Sequence, residues 1–163
     1  LNKVGAAITG GSPYSKYVDA VSSTLVTLGD DSGVNHDNGT FVMYCFASKA
    51  GYSKVGTYVG NGASNGPFVY TGFRPAWVMV KSSSMTNSET NWVIWDNKRN
   101  GYNVNIQLFA NDDMAEGRRD DDAGAGVSEI DFLATGFKHR DATWAQNGQD
   151  GATFVYQIGR AHV

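Results

Sequence analysis

With a single cysteine, Cys45, the 163-residue sequence can form no internal disulfide, so its stability has to come from packing. A nucleophilic role for Cys45 would need a histidine partner, and neither His36 nor His139 lies in a cysteine-hydrolase context. Its position between Tyr44 and Phe46 predicts a small buried hydrophobe instead. There is no run of lysine or arginine, and the net charge is -3, which leaves no electrostatic footprint for nucleic acid. No apolar stretch approaches the roughly 18 residues of a membrane span, and the N-terminus lacks a charged-then-apolar signal pattern. The chain therefore reads as soluble, with no membrane insertion. Phosphate-loop and dinucleotide patterns are also missing, since Gly60-Asn61-Gly62 does not lead into a helix. Leucine, glutamate and lysine are scarce and prolines number three, so neither long helices nor proline-rich linkers are expected.

What the sequence does have is glycine, 20 of them, together with abundant aromatic and β-branched residues. That is the composition of many short strands joined by tight turns. Residues 1–23 are small and polar, start without methionine, and look like the middle of a longer protein. Strand patterns then follow at regular spacing: residues 24–29, 40–46, 56–60, 68–70, 77–81, 91–96, 104–109, 130–133, 136–140 and 153–156. Residues 40–46 place Phe41, Met43 and Cys45 on one side and Val42, Tyr44 and Phe46 on the other, which predicts a strand covered on both faces. Residues 77–81 and 91–96 face each other across a polar loop and predict an antiparallel pair. About ten short strands and no convincing helix argue an all-β fold, an antiparallel β-sandwich or jelly roll.

The chain echoes itself. Gly39-Thr40-Phe41-Val42 aligns with Ala152-Thr153-Phe154-Val155, and residues 25–35 align with 137–147. The simplest expectation is a tandem array, with residues 1–50 the tail of a preceding copy packed on the same sandwich and residues 51–157 nearly all of the next. Two hairpins made alike by common turn chemistry are the alternative. The final IGRAHV breaks the apolar pattern and is what a common sequencing-adapter oligonucleotide encodes in one frame. Residues 158–163 are thus expected to be a non-native tail on a gene assembled from environmental reads.

The phrases GYSKVGTYVGNG, GPFVYTGFRPAWVMVK, NWVIWDNKR, IDFLATGFKHR and GATFVY resemble, in that order, a domain of unknown function common in tail and other virion structural proteins of marine and environmental phages. The resemblance covers residues 51–156, with an echo at 35–47. It implies a concanavalin-like sandwich, a virion location, and adhesion, decoration or assembly as the task; it supplies no catalytic residues. The acidic insertion around Asp120, Asp121 and Asp122 and the interrupted last strand depart from it.

Glycan binding needs flat apolar rings beside amides and carboxylates, because sugar rings stack through their C–H faces while their hydroxyls take hydrogen bonds. Trp92, Trp95, Asp96, Asn97, Arg99, Tyr102 and Asn103 offer that mixture, and Trp144 with Gln146 and Asn147 offers a second. Trp92 and Trp95 have opposite strand parity, so at most one should face the core. All could equally be packing residues. Asn111, Asp112, Asp113 and Glu116, or Asp120, Asp121 and Asp122, supply hard oxygen ligands for Ca2+, although their spacing fits no EF-hand loop and a solvated acidic loop neutralised by Arg118 and Arg119 is the plainer alternative. No other cofactor is implied.

The function expected is a phage tail or virion-surface module that binds host-surface carbohydrate or a neighbouring virion protein, with a homo-oligomer in view. The rival is a small glycoside hydrolase or polysaccharide lyase on the same sandwich. It would draw on carboxylates among Asp96, Glu129, Asp131 and Asp141, or on Tyr102, His139 and Arg140, but no spacing selects a pair. Zinc has less to support it, since His36 and His139 stand alone. A purely structural repeat that spaces or trimerises a fibre is a third possibility.

Overall fold

In the computed structural model the residues described are 17–85, 91–99, 102–104, 106–116, 129–142 and 146–160. The chain divides into two compact units, one holding residues 7–45 and the other residues 46–163.

The larger unit is an antiparallel β-sandwich. Its first layer is a five-stranded sheet built from β3 (Ser53–Val59), β5 (Trp77–Ser82), β6 (Val93–Asp96), β8 (Leu108–Phe109) and β11 (Thr153–Gly159). The spatial order is β3-β11-β5-β6-β8. The second layer is a four-stranded sheet of order β4-β10-β9-β7, made of β4 (Phe68–Tyr70), β7 (Asn103–Val104), β9 (Ile130–Leu133) and β10 (Gly136–His139). The expected pairing of residues 77–81 with 91–96 is present as β5 against β6, with Val78 opposite Trp95 and Val80 opposite Val93. The pattern at 104–109 resolves into two strands, β7 and β8, which join different sheets.

Strand alternation decides what fills the space between the layers. Val78 and Val80 of β5, Val93 and Trp95 of β6, and Phe154, Tyr156 and Ile158 of β11 turn inward. They meet Val69, Ile130, Phe132 and Phe137 of the other sheet in one core. Tyr58 of β3 joins it, stacked on Phe154 at 5.2 Å between ring centroids and edge-on to Phe137 at 6.0 Å. Two glycines permit close approaches in and beside the core. A Cβ on Gly56 would sit 2.6 Å from the Tyr156 hydroxyl, whose ring covers that position, and one on Gly136 would run into the Val69 carbonyl of the adjacent strand.

Strand β11 runs on through Gln157, Ile158 and Gly159, pairing with β3 on one side and β5 on the other, and Ile158 is fully buried. The break expected after Gln157 is therefore not where the strand ends; residues 161–163 lie outside the described residues. The acidic insertion at 120–122 does as well.

The smaller unit, taken by itself, has a two-stranded sheet of β1 (Val18–Val21) and β2 (Val26–Leu28). A single helical turn follows, α1 (Ser32–Asn35), where turn chemistry alone was expected. Asp31 caps it, its side chain accepting from the Gly33 amide at 2.8 Å. Residues 40–46 correct two expectations. They form no strand, and Cys45 is exposed rather than buried. The physical reason is that a strand apolar on both faces is stable only between neighbours that supply hydrogen bonds and cover, and among the described residues none pairs with it.

Candidate functional site

Because β3, β11, β5 and β6 alternate, each residue that leaves the core has its neighbours in register on the outer face of the five-stranded sheet. One row there is Val55, Gln157, Met79, Ile94 and Leu108; a second is Ser53, Gly159, Trp77 and Asp96; a third is Thr57, Val155 and Lys81. Trp92 precedes β6 with the same parity as Ile94 and Asp96, and Lys81 Nζ lies 5.8 Å from its ring centroid. Trp77 and Trp92 are both half-buried at this face.

The polar groups of the face are fixed by short-range chemistry. The Asp96 carboxylate accepts from the Lys98 amide at 2.9 Å and the Arg99 amide at 3.0 Å, and also from Arg99 Nε at 2.5 Å. Burial pushes the Asp96 carboxyl upward, but these hydrogen bonds and the Arg99 charge outweigh it and hold the group below the ordinary aspartate value. Arg99 also reaches Glu116 at 3.1 Å. Burial draws the Lys81 amine below the usual lysine value. Gln157, buried in the middle row, donates Nε2 to the Ile158 carbonyl at 2.9 Å, while its Oε1 has no hydrogen-bond partner among the described residues. Gly159 lets the Trp77 indole lie flat, since a Cβ there would collide with Nε1. Gly159→Ala is accordingly expected to lower stability by about 1–3 kcal/mol through overpacking and to shift the Trp77 indole resonance; chemical denaturation and an NMR spectrum check both.

The residues singled out from sequence divide as follows. Trp92 and Asp96 share strand parity, Arg99 is bound to Asp96, and Asn97 continues that turn with its amide donating to the Ala76 carbonyl at 2.9 Å. Trp95 does not belong with them: it is fully buried in the core, with Nε1 donating to Glu129 Oε2 at 2.9 Å, because its parity is opposite to that of Trp92. Tyr102 leaves them too, as it leads into β7 of the other sheet, where it is exposed under Arg74 at 4.7 Å. Of Asn103, in β7, the same sheet assignment holds. Trp144 lies outside the described residues, and its companions are not available to a ligand. Gln146 and Asn147 are fully buried, and Asn147 bridges Asn61, Ala63 and Asp141 at 2.7–3.1 Å.

The calcium candidates among the described residues are likewise not assembled. Asp112 accepts from Asn91 at 3.1 Å and from the Met114 amide at 3.2 Å, Glu116 pairs with Arg99, and Asp113 is exposed. Among the described residues no group of three or more histidine, cysteine, aspartate or glutamate side chains is placed to hold a metal ion. The carboxylates considered for hydrolysis sit in separate settings: Glu129 in the core beside Trp95, Asp131 against Arg140, and Asp96 in its turn. His139 is buried against Tyr58 at 4.9 Å, away from the exposed Tyr102. Trp77, Met79 and Gln157 were missed as site residues. The alternation of Trp77, Met79 and Lys81 against Val78 and Val80 was visible, but not which set faced out.

An all-β sandwich with a tryptophan-bearing outer sheet face defines a class of domain rather than one activity. The chain belongs to the family described as Domain of unknown function (DUF7483), which matches residues 1–159. No curated protein and no solved structure matches it. No helix among the described residues is long and apolar enough to cross a membrane.

Proposed function

We propose that the chain is a non-catalytic binding module of a phage tail or virion surface, holding host-surface glycan on the outer face of its five-stranded sheet. The observation that carries this is the placement of two half-buried tryptophans, Trp77 and Trp92, on one face with the half-buried Asp96 and its partner Arg99. The rings offer apolar surface for the C–H faces of sugars, and the carboxylate and guanidinium supply hydrogen bonds to hydroxyls. The phage setting rests on the sequence resemblance set out above.

A glycan-array screen with the purified chain tests the proposal, followed by titration of any hit against Trp92→Ala and Trp77→Ala. Each substitution is expected to weaken binding about tenfold or more, the equivalent of about 1.4 kcal/mol, since it removes a stacking platform without opening the core. Absence of binding across the array by a folded sample would sink the glycan reading and favour a neighbouring virion protein as the ligand of the same face.

A further inference from the structure

In the unit that holds residues 7–45, none of the described residues is buried. Yet its sequence repeats the most deeply buried part of the sandwich, and the order of elements repeats with it. Hairpin β1–β2, the polar turn at 29–39 and the apolar segment 40–46 follow the plan of hairpin β9–β10, the turn at 146–152 and strand β11. In this alignment Val18 stands for Ile130, Leu25 for Phe137, Phe41 for Phe154 and Met43 for Tyr156. The second member of each pair is at most 4% exposed, whereas Val18 is 37%, Leu25 69%, Phe41 47% and Met43 59% exposed. Cys45, standing for the fully buried Ile158, is exposed as well.

The same pattern is thus inside in one copy and outside in the other. Large apolar side chains left exposed at positions that are interior in the other copy mark a missing partner. Segment 40–46 is apolar on both faces, the signature of a central strand, and it carries no proline or charge of the kind that protects a lone edge. In the sandwich the corresponding strand, β11, is hydrogen-bonded on both sides, to β3 and β5.

We infer that residues 17–46 are the closing third of a second sandwich of this fold, and that what covers them is a β3–β8 half of the same family carried in tandem on the same polypeptide. The partner is identified by complementarity, since β3–β8 is what β9–β11 bury themselves against in the sandwich. A second copy of the whole chain fits less well, because its β3–β8 half already holds its own β9–β11.

The test extends the full chain at its N-terminal side with an additional copy of residues 51–129, joined ahead of residue 1, and follows amide hydrogen exchange. In the 163-residue chain residues 40–46 are expected to exchange at nearly the free rate. In the extended chain they should slow by about 100-fold or more, toward the protection of β11. Phe41→Asp in the extended chain should abolish that gain and leave β11 unchanged. A control extension carrying residues 51–159 verifies that the added half folds in that position when given its own β9–β11. Protection in the control but none at 40–46 in the first extension overturns the inference. So does protection of 40–46 in the unextended chain that rises with concentration, which would assign the cover to a second copy in trans.

Discussion

Replacing Trp95 by alanine is expected to cost about 3–5 kcal/mol of stability, the range for deleting a buried aromatic side chain. Trp95 has no solvent exposure, and its indole packs edge-on to His139 at 6.2 Å between centroids. The substitution opens a cavity between the sheets and also takes away the Nε1–H that Glu129 Oε2 accepts at 2.9 Å. A buried carboxyl oxygen that loses a donor adds to the loss. Urea denaturation followed by circular dichroism measures it, with Trp92→Ala as the comparison: that change, on the outer face, should cost far less. Equal losses at the two positions would contradict the assignment of one ring to the core and the other to the surface.

That contrast shows what could be read from the residues alone. Strand parity established that Trp92 and Trp95 point opposite ways, and the alternation of residues 77–81 identified two faces, but neither says which face turns inward. Inward direction is a property of the opposing sheet, and the burial of Val78, Val80, Val93 and Trp95 against Val69, Ile130, Phe132 and Phe137 resolves it. The two-layer all-β architecture was legible because glycine turns and period-two patterns are local signals. The split of residues 103–109 between two sheets was not, since β7 and β8 are short and their partners, β9 and β6, are distant in sequence. Residues 40–46 were read as a covered strand from their own composition, which is a strand-like composition; what they lack is the neighbour that pairing requires.

The second large effect concerns pH. His139 is fully buried, stacked on Tyr58 and edge-on to Phe137, and neither ring nitrogen has a hydrogen-bond partner among the described residues. Burial, with the nearby Lys138 charge adding to it, lowers its pKa from the usual 6.5 to about 3. The folded protein therefore keeps this histidine neutral while the unfolded chain takes up a proton below pH 6.5. The sign follows: its contribution is fully present above the unfolded value and is lost as pH falls toward about 3. Stability should decline by about 1.4 kcal/mol for each unit between pH 6 and pH 4. Most carboxylates of ordinary pKa titrate only at the lower end of that window, so denaturation midpoints between pH 6.5 and 5 isolate the histidine. His139→Phe, which keeps an aromatic ring in the same apolar setting, should flatten the dependence there. An unchanged slope in that variant would place the titrating group elsewhere.

Gln107 and Gln146 sit in the same interior as His139 and Glu129, and all four are fully buried or nearly so. Tyr58 donates its hydroxyl to the Gln146 carbonyl at 2.5 Å, and burial raises its pKa well above the usual tyrosine value. Polar and aromatic groups are thus interleaved in the interior, while Trp77 and Trp92 lie half-buried on the outer face of the five-stranded sheet.

The most direct measurement of the proposed site is a two-dimensional NMR spectrum of the tryptophan indole N–H groups, recorded as a glycan taken from the array hits is added. The indole signals of Trp77 and Trp92 should move with saturable dependence on ligand while that of Trp95 stays in place. Movement confined to Trp95, or Trp77 and Trp92 signals that stay in place while the glycan binds, would contradict a site on the outer face of the five-stranded sheet.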